Sequence, residues 1–326
     1  MSSWCRRRRD VVFGVIVAFL FASLLYTTRI SVDDPALQQH LILQLTLPLA
    51  VTAVLVGAAL SASAACLQVL LSNPLADPSI IGISSGASLF AAVVILSGLP
   101  SLVQYFHYWL PVACFVGALL STLLVYGIAR RLQSSPVAVV LAGIAISTLS
   151  GAVIGWLYYF ADAQAMRNLT FWLMGSLYQA DAKILTVAAP IILIALGFVI
   201  VKASSLNRLY LGDSTAKASG VDVLMLNKQL ILACSLLVGV AVAIAGSIAF
   251  LGLLVPHVLR LCFGFDNRLI ITISAMCGAS LLLLIAIVSE LWAITAFPVS
   301  MLTASIGGPI FIFALLRGQF NLMASR

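Results

Sequence analysis

Residues 47–71 read LPLAVTAVLVGAALSASAACLQVLL, a stretch without a single charged side chain. A helix needs about 20 apolar residues to cross the hydrocarbon core of a bilayer. The whole chain of 326 residues has this character: it is 63% apolar and 8% charged, with a mean hydropathy of +1.17. Soluble domains average roughly 45–50% apolar and about 25% charged residues. The sequence therefore predicts an all-α, polytopic membrane protein in one domain, residues 1–326, with no room for a soluble catalytic domain.

Apolar runs separated by turn or charge signals predict ten membrane spans. They fall at 11–28, 47–71, 80–99, 109–129, 137–160, 184–201, 229–246, 248–264, 270–290 and 298–316. The eighth run is short, and Pro256 followed by His257 predicts an interruption within it. The first run follows Arg6 to Arg9, so we interpret it as an uncleaved span that starts in the cytoplasm.

The distribution of positive charge supports this count. Cytoplasmic loops of membrane proteins are enriched in Lys and Arg. With ten spans both termini are cytoplasmic, and of the 17 Lys and Arg all except Arg29, Arg167 and Lys183 fall on the inner side. The net charge of +7 follows from these loops, so we expect a lipid bilayer as the surrounding medium and no nucleic-acid partner.

Few residues in this chain predict chemistry. No G-x-x-x-x-G-K-[ST] loop is present, so we expect no ATP binding by the chain itself. The six cysteines lack metal-ligand spacing, and we expect no metal and no cofactor. Gly82 to Gly86 matches the nucleophile pattern G-x-S-x-G, but an intramembrane protease would also need a base facing Ser84. We expect no catalytic residues and no enzyme activity in this chain.

The positions of the acids bear on the energy source. Ion-coupled transporters carry ionisable residues within their spans. Here the acids lie in loops or at span ends, and the only glutamate, Glu290, closes the ninth span. This pattern favours a transporter powered by another subunit. A secondary transporter or exporter that works without an ATPase is the alternative from a different class.

The longest polar stretch on the inner side is residues 205–228. Asp213 or Ser214 can cap a short helix there, and Gly220 can end it in the left-handed conformation. Two short surface helices would make this segment a compact knob.

Small residues recur at four-residue spacing in the fifth and the last span. They are Gly143, Ser147, Gly151 and Gly155, and Ser300, Ala304 and Gly308. In lipid such faces let helix backbones approach closely. They predict either tight helix packing or a face that lines a wide pathway, and the residues alone leave both open.

Four ordered segments resemble the FecCD-type permease family, which includes vitamin B12, ferric-siderophore and haem permeases. They are NPLADPSIIGISSGA at 73–87, LGDSTAKASG at 211–220, GSIAFLGLLVPHVLR at 246–260 and PVSMLTASIGGPIF at 298–311. Because they run from the second span to the last, the resemblance covers nearly the whole chain.

The resemblance implies a type II ABC importer permease fold and a defined set of partners. These are a second permease, two cytoplasmic ATPase subunits that bind the ATP, and a periplasmic substrate-binding protein. It implies iron–siderophore uptake, with haem or cobalamin as alternatives. The docking element for the ATPase would contain Leu211, Gly212, Asp213, Ala216 and Gly220. It also implies that the fifth and tenth spans line the pathway, and we take the role of His257 and Arg260 as structural.

The chain departs from the family where the binding protein docks. The family's R-L-P-R is Thr46 to Leu49 here, and its D-x-x-A-R is 286–290, ending in Glu290. In the family those arginines receive acidic residues of the binding protein, so Thr46, Leu49 and Glu290 are the positions to examine. Since Glu290 would repel an acid, we favour a second, different permease that carries the arginines over a homodimer. The alternative is a binding protein that presents Lys, Arg or neutral residues to Glu290. The family's G-x-D-H-R is 264–268 here, with Asn267 in place of the histidine.

Overall fold

The computed structural model describes residues 34–79, 81–97, 106–132, 136–291 and 298–316. Within these ranges the regular secondary structure is helical. The helices are α1 Pro35–Leu41, a π-helical turn Ile42–Thr46, α2 Leu47–Leu70, α3 Ile83–Leu96, α4 Phe106–Arg131, α5 Pro136–Phe160, α6 Ala163–Leu173, α7 Ala182–Tyr210, α8 Asp213–Ala218, α9 Val223–Ala245, α10 Leu251–Phe263, α11 Asn267–Leu291 and α12 Val299–Leu316.

The helices confirm the predicted fold class. Each predicted span from 47–71 onward coincides with one helix, and the run at 11–28 lies outside the described residues. In the described part of the chain, six helical stretches are long and apolar enough to cross a membrane, and α3, α10 and α12 are shorter apolar helices. The long helices alternate in direction, so α8 lies at one end of the bundle and α6 at the other. We call these the α8 end and the α6 end.

Helix α2 occupies the centre of the bundle and packs against α7, α9, α10 and α11. Nearly all of its side chains are buried, and Ala, Ser and Gly dominate its middle. Its closest approach is to α11: a Cβ atom added at Gly57 or Gly278 would overlap the other glycine's backbone. Small residues allow this contact, and in lipid close backbone packing is a main source of helix association.

The two short helices α3 and α10 follow segments 71–82 and 246–250 respectively, whose described residues (71–79, 81–82 and 246–250) are not helical. Gly246 has φ +72° and Phe250 has φ +67°, so the chain turns sharply on both sides of the second segment. The predicted interruption at Pro256 is wrong. Pro256 is the sixth residue of α10, so the helix lacks one backbone hydrogen bond at this position but continues through it to Phe263.

Segment 71–82 folds back into the bundle instead of lying at its surface. A Cβ atom at Gly252 would lie 3.0 Å from Asp77 Oδ2 and 3.3 Å from the carbonyl oxygen of Leu60. Leu60 is ten residues before the end of α2, which is about 15 Å along the helix. The expectation that all acids lie at loops or span ends is therefore incomplete, because this loop carries Asp77 into the protein interior.

The carboxylate of Asp77 is satisfied where it lies. Its Oδ1 accepts hydrogen bonds from Ser79 N at 2.9 Å and Ser79 Oγ at 2.7 Å. The backbone N–H of Leu253, in the first turn of α10, also donates to it. Carboxylates are favoured at helix N-termini, where N–H groups lack partners. Asp77 thus joins segment 71–82 to α10.

Arg260, in the last turn of α10, is only 3% exposed. Its guanidinium donates from Nη2 to the carbonyl oxygen of Ala65 at 2.9 Å, from Nε to Gln68 Oε1 at 3.2 Å and from Nη1 to Asn267 Oδ1 at 3.0 Å. One side chain therefore links α10 to α2 and to the start of α11. These contacts agree with the structural role expected for Arg260.

The contact between α2 and α11 predicts opposite effects for two matched substitutions. Gly278→Ala should destabilise the protein by about 1–3 kcal/mol, because the new methyl group overlaps the Gly57 backbone and the Ser61 side chain. Gly197→Ala, at an exposed position of α7 with open space around it, should be neutral or stabilising, since alanine favours helix by up to about 1 kcal/mol. Thermal unfolding of the purified protein in detergent measures both, and equal effects would contradict the packing described.

Candidate functional site

The polar segment 205–228 forms one short helix between two long ones. Helix α7 continues to Tyr210, α8 spans Asp213–Ala218, and α9 begins at Val223. The expectation of two short surface helices is therefore half right, because the flanking long helices extend past their apolar runs into the polar residues. The segment is compact: 211–222 contains only α8 and its two connections.

Two glycines set the path of the chain around α8. Gly212 has φ +109° and precedes the helix, and Gly220 has φ +79° and follows it. The left-handed conformation predicted for Gly220 is confirmed, whereas the residue that flanks the helix start is Gly212 rather than Asp213. Asp213 lies in the first turn and Lys217 in the last, which matches the helix dipole.

Helix α8 is held against the bundle by a buried methyl group and by backbone contacts. Ala216 is fully buried, and its carbonyl oxygen accepts from Val221 N at 3.0 Å. Arg208, near the end of α7, donates from Nη1 to the carbonyl oxygen of Ser219 at 3.2 Å. Asp222 accepts from Met225 N at 3.0 Å and caps α9. The segment is thus a fixed projection of the bundle.

This projection carries exposed apolar side chains. Leu211 is 65% exposed, Leu224 63% and Met225 49%. They lie among polar residues of segment 205–228, where lipid does not account for them. Exposed apolar groups bordered by polar ones are typical of protein–protein contact sites. The chemistry of this surface fits binding to another protein.

The small-residue face of α5 divides into two halves. Gly143 is buried, and Ser147 accepts a hydrogen bond from Ser85 of α3 at 2.8 Å. Gly151 and Gly155 are exposed, and a Cβ atom at either would meet nothing within 4 Å. The half of α5 nearer the α8 end therefore packs against α3, and the half nearer the α6 end has open space beside its glycines.

The small residues of α12 divide in a similar way. Ser300 donates to the carbonyl oxygen of Ser247, so it fixes the start of α12 to segment 246–250. Ala304 is half-buried, and a Cβ atom at Gly308 would again meet nothing within 4 Å. Of the residues predicted to line a pathway, three have open space beside them on this chain: Gly151, Gly155 and Gly308. Gly143, Ser147 and Ser300 have packing partners.

The structure places two of the predicted docking residues inside the protein. Thr46 is 4% exposed and Leu49 is 2% exposed, because the π-helical turn and the first turn of α2 bring them against the bundle. Neither side chain is offered to a soluble partner by this chain. Glu290 lies in α11, and its side chain falls outside the described part.

The hydrolase pattern at Gly82 to Gly86 does not assemble a catalytic site. Ser85 donates to Ser147. Ser84 lines a cavity of about 260 Å³ together with Asp77, and no histidine is among its lining residues. Among the described residues no group of three His, Cys, Asp or Glu is placed to hold a metal ion.

Two residues that sequence reasoning passed over occupy key positions. Asp77 reaches the bundle interior, and Asn207 connects α7 to the start of α11 through both groups of its amide. The signal for Asp77 was the short apolar run at 248–264, since short or interrupted helices in transporters often line buried sites. Nothing in the local sequence distinguishes Asn207.

Comparison with known proteins is consistent with this geometry. The vitamin B12 import system permease protein of Vibrio parahaemolyticus is 43% identical over 96% of this chain and 95% of its own length. The hemin transport system permease protein of Yersinia pestis is 39% identical over 85% of this chain and 84% of its own. A solved structure described as a metal-chelate type ABC transporter in an inward-facing conformation has a TM-score of 0.86. It is 29% identical and covers 94% of this chain and 99% of its own.

The family model matches almost the entire chain. The FecCD transport family aligns with residues 10–317, which include every described helix. The chain is a multi-pass ABC importer permease and belongs to the FecCD transport family.

Proposed function

We propose that this chain is the membrane subunit of an importer that carries a bulky metal chelate across a bacterial inner membrane. Hydrolysis of ATP takes place on two separate cytoplasmic ATPase subunits, and this chain supplies the path and the coupling surface without a cofactor of its own. The observation that carries the proposal is the projection around α8, which exposes Leu211, Leu224 and Met225 at one end of a bundle otherwise suited to lipid.

The α8 end faces the cytoplasm in this proposal. Lys and Arg residues concentrate there, among them Arg130, Arg131, Arg208, Lys217 and Arg268, as the positive-inside rule requires. The orientation places both termini in the cytoplasm and α6 on the periplasmic side. The ATPase then meets Leu211, Gly212 and Asp213 at the start of α8, while Ala216 and Gly220 set the helix position.

The translocation path runs along α5 and α12. Gly151, Gly155 and Gly308 leave open space on this chain, and Ala304 lies on the same helix as Gly308. Small side chains along a path give a bulky cargo room to pass. Gly143, Ser147 and Ser300 serve the path indirectly, because they hold its helices against α3 and against segment 246–250.

The cargo is a metal-bearing tetrapyrrole, with cobalamin as the first candidate. The relatives named for a substrate are vitamin B12 and hemin permeases, and both cargoes are large rings around a metal. These relatives give no support to the iron–siderophore complex that the sequence analysis preferred. Haem is the second candidate because of the 39% identity to a hemin permease.

The complete transporter contains a second permease and a periplasmic binding protein. With Thr46 and Leu49 buried, this chain offers no arginine at the family's docking positions, and Glu290 would repel an acidic lobe. A second, different permease that carries the arginines leaves one acidic contact intact. Glu290 then faces a lobe that is neutral or basic.

The coupling role of α8 predicts that Gly220→Val weakens the connection between the permease and its ATPase. Valine at φ +79° is strained by about 1 kcal/mol or more, so the projection should shift. Co-purification of the ATPase or ATP-driven uptake should fall about fivefold or more. Gly197→Val, at an exposed glycine of α7 with open space, is the control. Wild-type assembly and uptake in Gly220→Val would count against the role of α8.

The path along α5 predicts which positions water reaches. Gly151→Cys and Ala304→Cys should react with a charged thiol reagent in at least one nucleotide state. Ile194→Cys on α7, 74% exposed and facing lipid in this proposal, should not react. The exposed Cys262 is replaced by Ser in all variants. If positions 151 and 304 stay as unreactive as 194 in every state, these faces are packing surfaces and the path lies elsewhere.

Purification of the transporter from its own bacterium tests cargo and composition together. We expect an ATPase, a binding protein and two permease species, and we expect the binding protein to retain a tetrapyrrole visible in its absorption spectrum. Competition for uptake by cyanocobalamin, hemin and a ferric siderophore ranks the cargoes. A single permease species would reject the proposed heteromeric pair, and competition by the siderophore alone would reject the tetrapyrrole.

A further inference from the structure

The end of α7 connects the coupling projection to the start of α11. Asn207 uses both groups of its amide: Nδ2 donates to Asp266 Oδ1 at 2.8 Å, and Oδ1 accepts from the backbone N–H of Asn267 at 2.7 Å. The ring of Tyr210 stacks on Phe265, with 5.4 Å between centroids and 13° between planes. The connection 264–267 is therefore fixed to the last turn of α7, shortly before α8.

The same connection leads directly to the buried guanidinium of Arg260. Asn267, which is fully buried, accepts from Arg260 Nη1, and Arg260 in turn donates to Ala65 and Gln68 of α2. No acidic side chain of the described residues pairs with this guanidinium, so its three neutral acceptors are its compensation for burial. Breaking one of them leaves a buried charge poorly solvated, which is unfavourable. The contact is thus resistant to deformation.

On the other side of α8 the contact is looser. A cavity of about 220 Å³ lies beside α8 and is lined by Asp213 and Lys217, by Tyr126 and Arg130 at the end of α4, and by residues at the end of α2 and the start of α9. Helix α4 packs with α3, α5 and α9. Helix α8 is therefore linked through hydrogen-bonded side chains to α7, α11, α10 and α2, and it faces the end of α4 across this cavity.

We propose that Asn207 is a positioning residue that transmits displacement of α8 to α11, α10 and α2, so that these helices move as one body against α3, α4 and α5. The path helix α5 belongs to the second body, so the relative motion changes the width of the path. This inference rests on the proposed docking of the ATPase at α8. It assigns the first step of this transmission to the side-chain amide of Asn207 and the following steps to Asn267 and Arg260.

The contact between Asn207 and Asp266 can be tested separately from its neighbours by exchanging the two residue types. Asn207→Asp places two carboxylates together, whereas Asp266→Asn keeps a hydrogen bond because an amide oxygen can accept from Asn207 Nδ2. The double variant Asn207→Asp with Asp266→Asn restores the bond with donor and acceptor reversed, and it also restores the net charge. Thr272→Val removes a hydrogen bond that stays within α11 and is the control.

The measurement uses the complete transporter in liposomes, with spin labels on α5 at position 151 and on α11 at position 268, with and without ATP. In the wild type we expect two populations of the 151–268 distance, and we expect ATP to change the ratio of these populations. Asn207→Asp should reduce that change about fivefold, the effect of like charges about 4 Å apart in water. Asp266→Asn, the double variant and the Thr272→Val control should behave as the wild type. A wild-type shift in Asn207→Asp, or no recovery in the double variant, overturns the proposal.

A second measurement needs no variant of the contact itself. Labels at positions 217 and 272 report the distance between α8 and α11, and labels at 217 and 130 report the distance between α8 and α4. ATP should leave the first unchanged and alter the second. Equal changes in both overturn the inference even if Asn207→Asp fails to fold. If Gly220→Val does not disturb ATPase binding, the docking at α8 fails. If Gly220→Val does disturb ATPase binding but Asn207→Asp leaves the ATP-dependent distance change as in the wild type, only the proposed transmission through Asn207 is wrong.

Discussion

The backbone contact of α2 with α11 exists because neither Gly57 nor Gly278 has a side chain. In a bilayer, burying leucine against leucine gains little over lipid, so a helix pair is stabilised by close packing and by hydrogen bonds. This contact places α11 against the middle of α2. It leaves the other faces of α2 to α7, α9 and α10, and the remaining helices are arranged around this group.

The second requirement of the bilayer is that polar backbone and charged groups find partners within the protein. Segments 71–82 and 246–250 are not helical, yet both lie against other parts of the bundle. Asp77 accepts from the start of α10, Ser300 donates to Ser247, and Arg260 donates to a carbonyl of α2. Each of these three groups thus also fastens two segments together. The irregular segments fix where the short helices α3 and α10 begin.

These contacts divide the chain into parts with different connections to α8. A series of contacts leads from the projection to α2. Arg208 bonds to the projection, and its chain neighbour Asn207 bonds to Asn267. Asn267 accepts from Arg260, which also donates to α2. A cavity lies between the projection and α4. A permease driven by another subunit needs such an asymmetry, because a push that moved every helix equally would leave the path unchanged. The open positions Gly151 and Gly155 lie on a helix of the less tightly joined group.

The amino-acid sequence by itself determined the fold class, the family and the apolar helices of the described part from α2 onward, but neither α1 nor α6. Runs of apolar residues long enough to span a bilayer are local, and so are the turn residues and charges that end them. It also determined the left-handed turn at Gly220, because a glycine after a short capped helix has a local physical meaning. Tertiary structure alone decided that Thr46 and Leu49 are buried and that Gly143 packs while Gly151 is open. It also decided that Asp77 lies inside the bundle and that Asn207 meets Asp266. These facts depend on which helix lies opposite, because the local sequence around a small or polar residue does not indicate which neighbour it will contact.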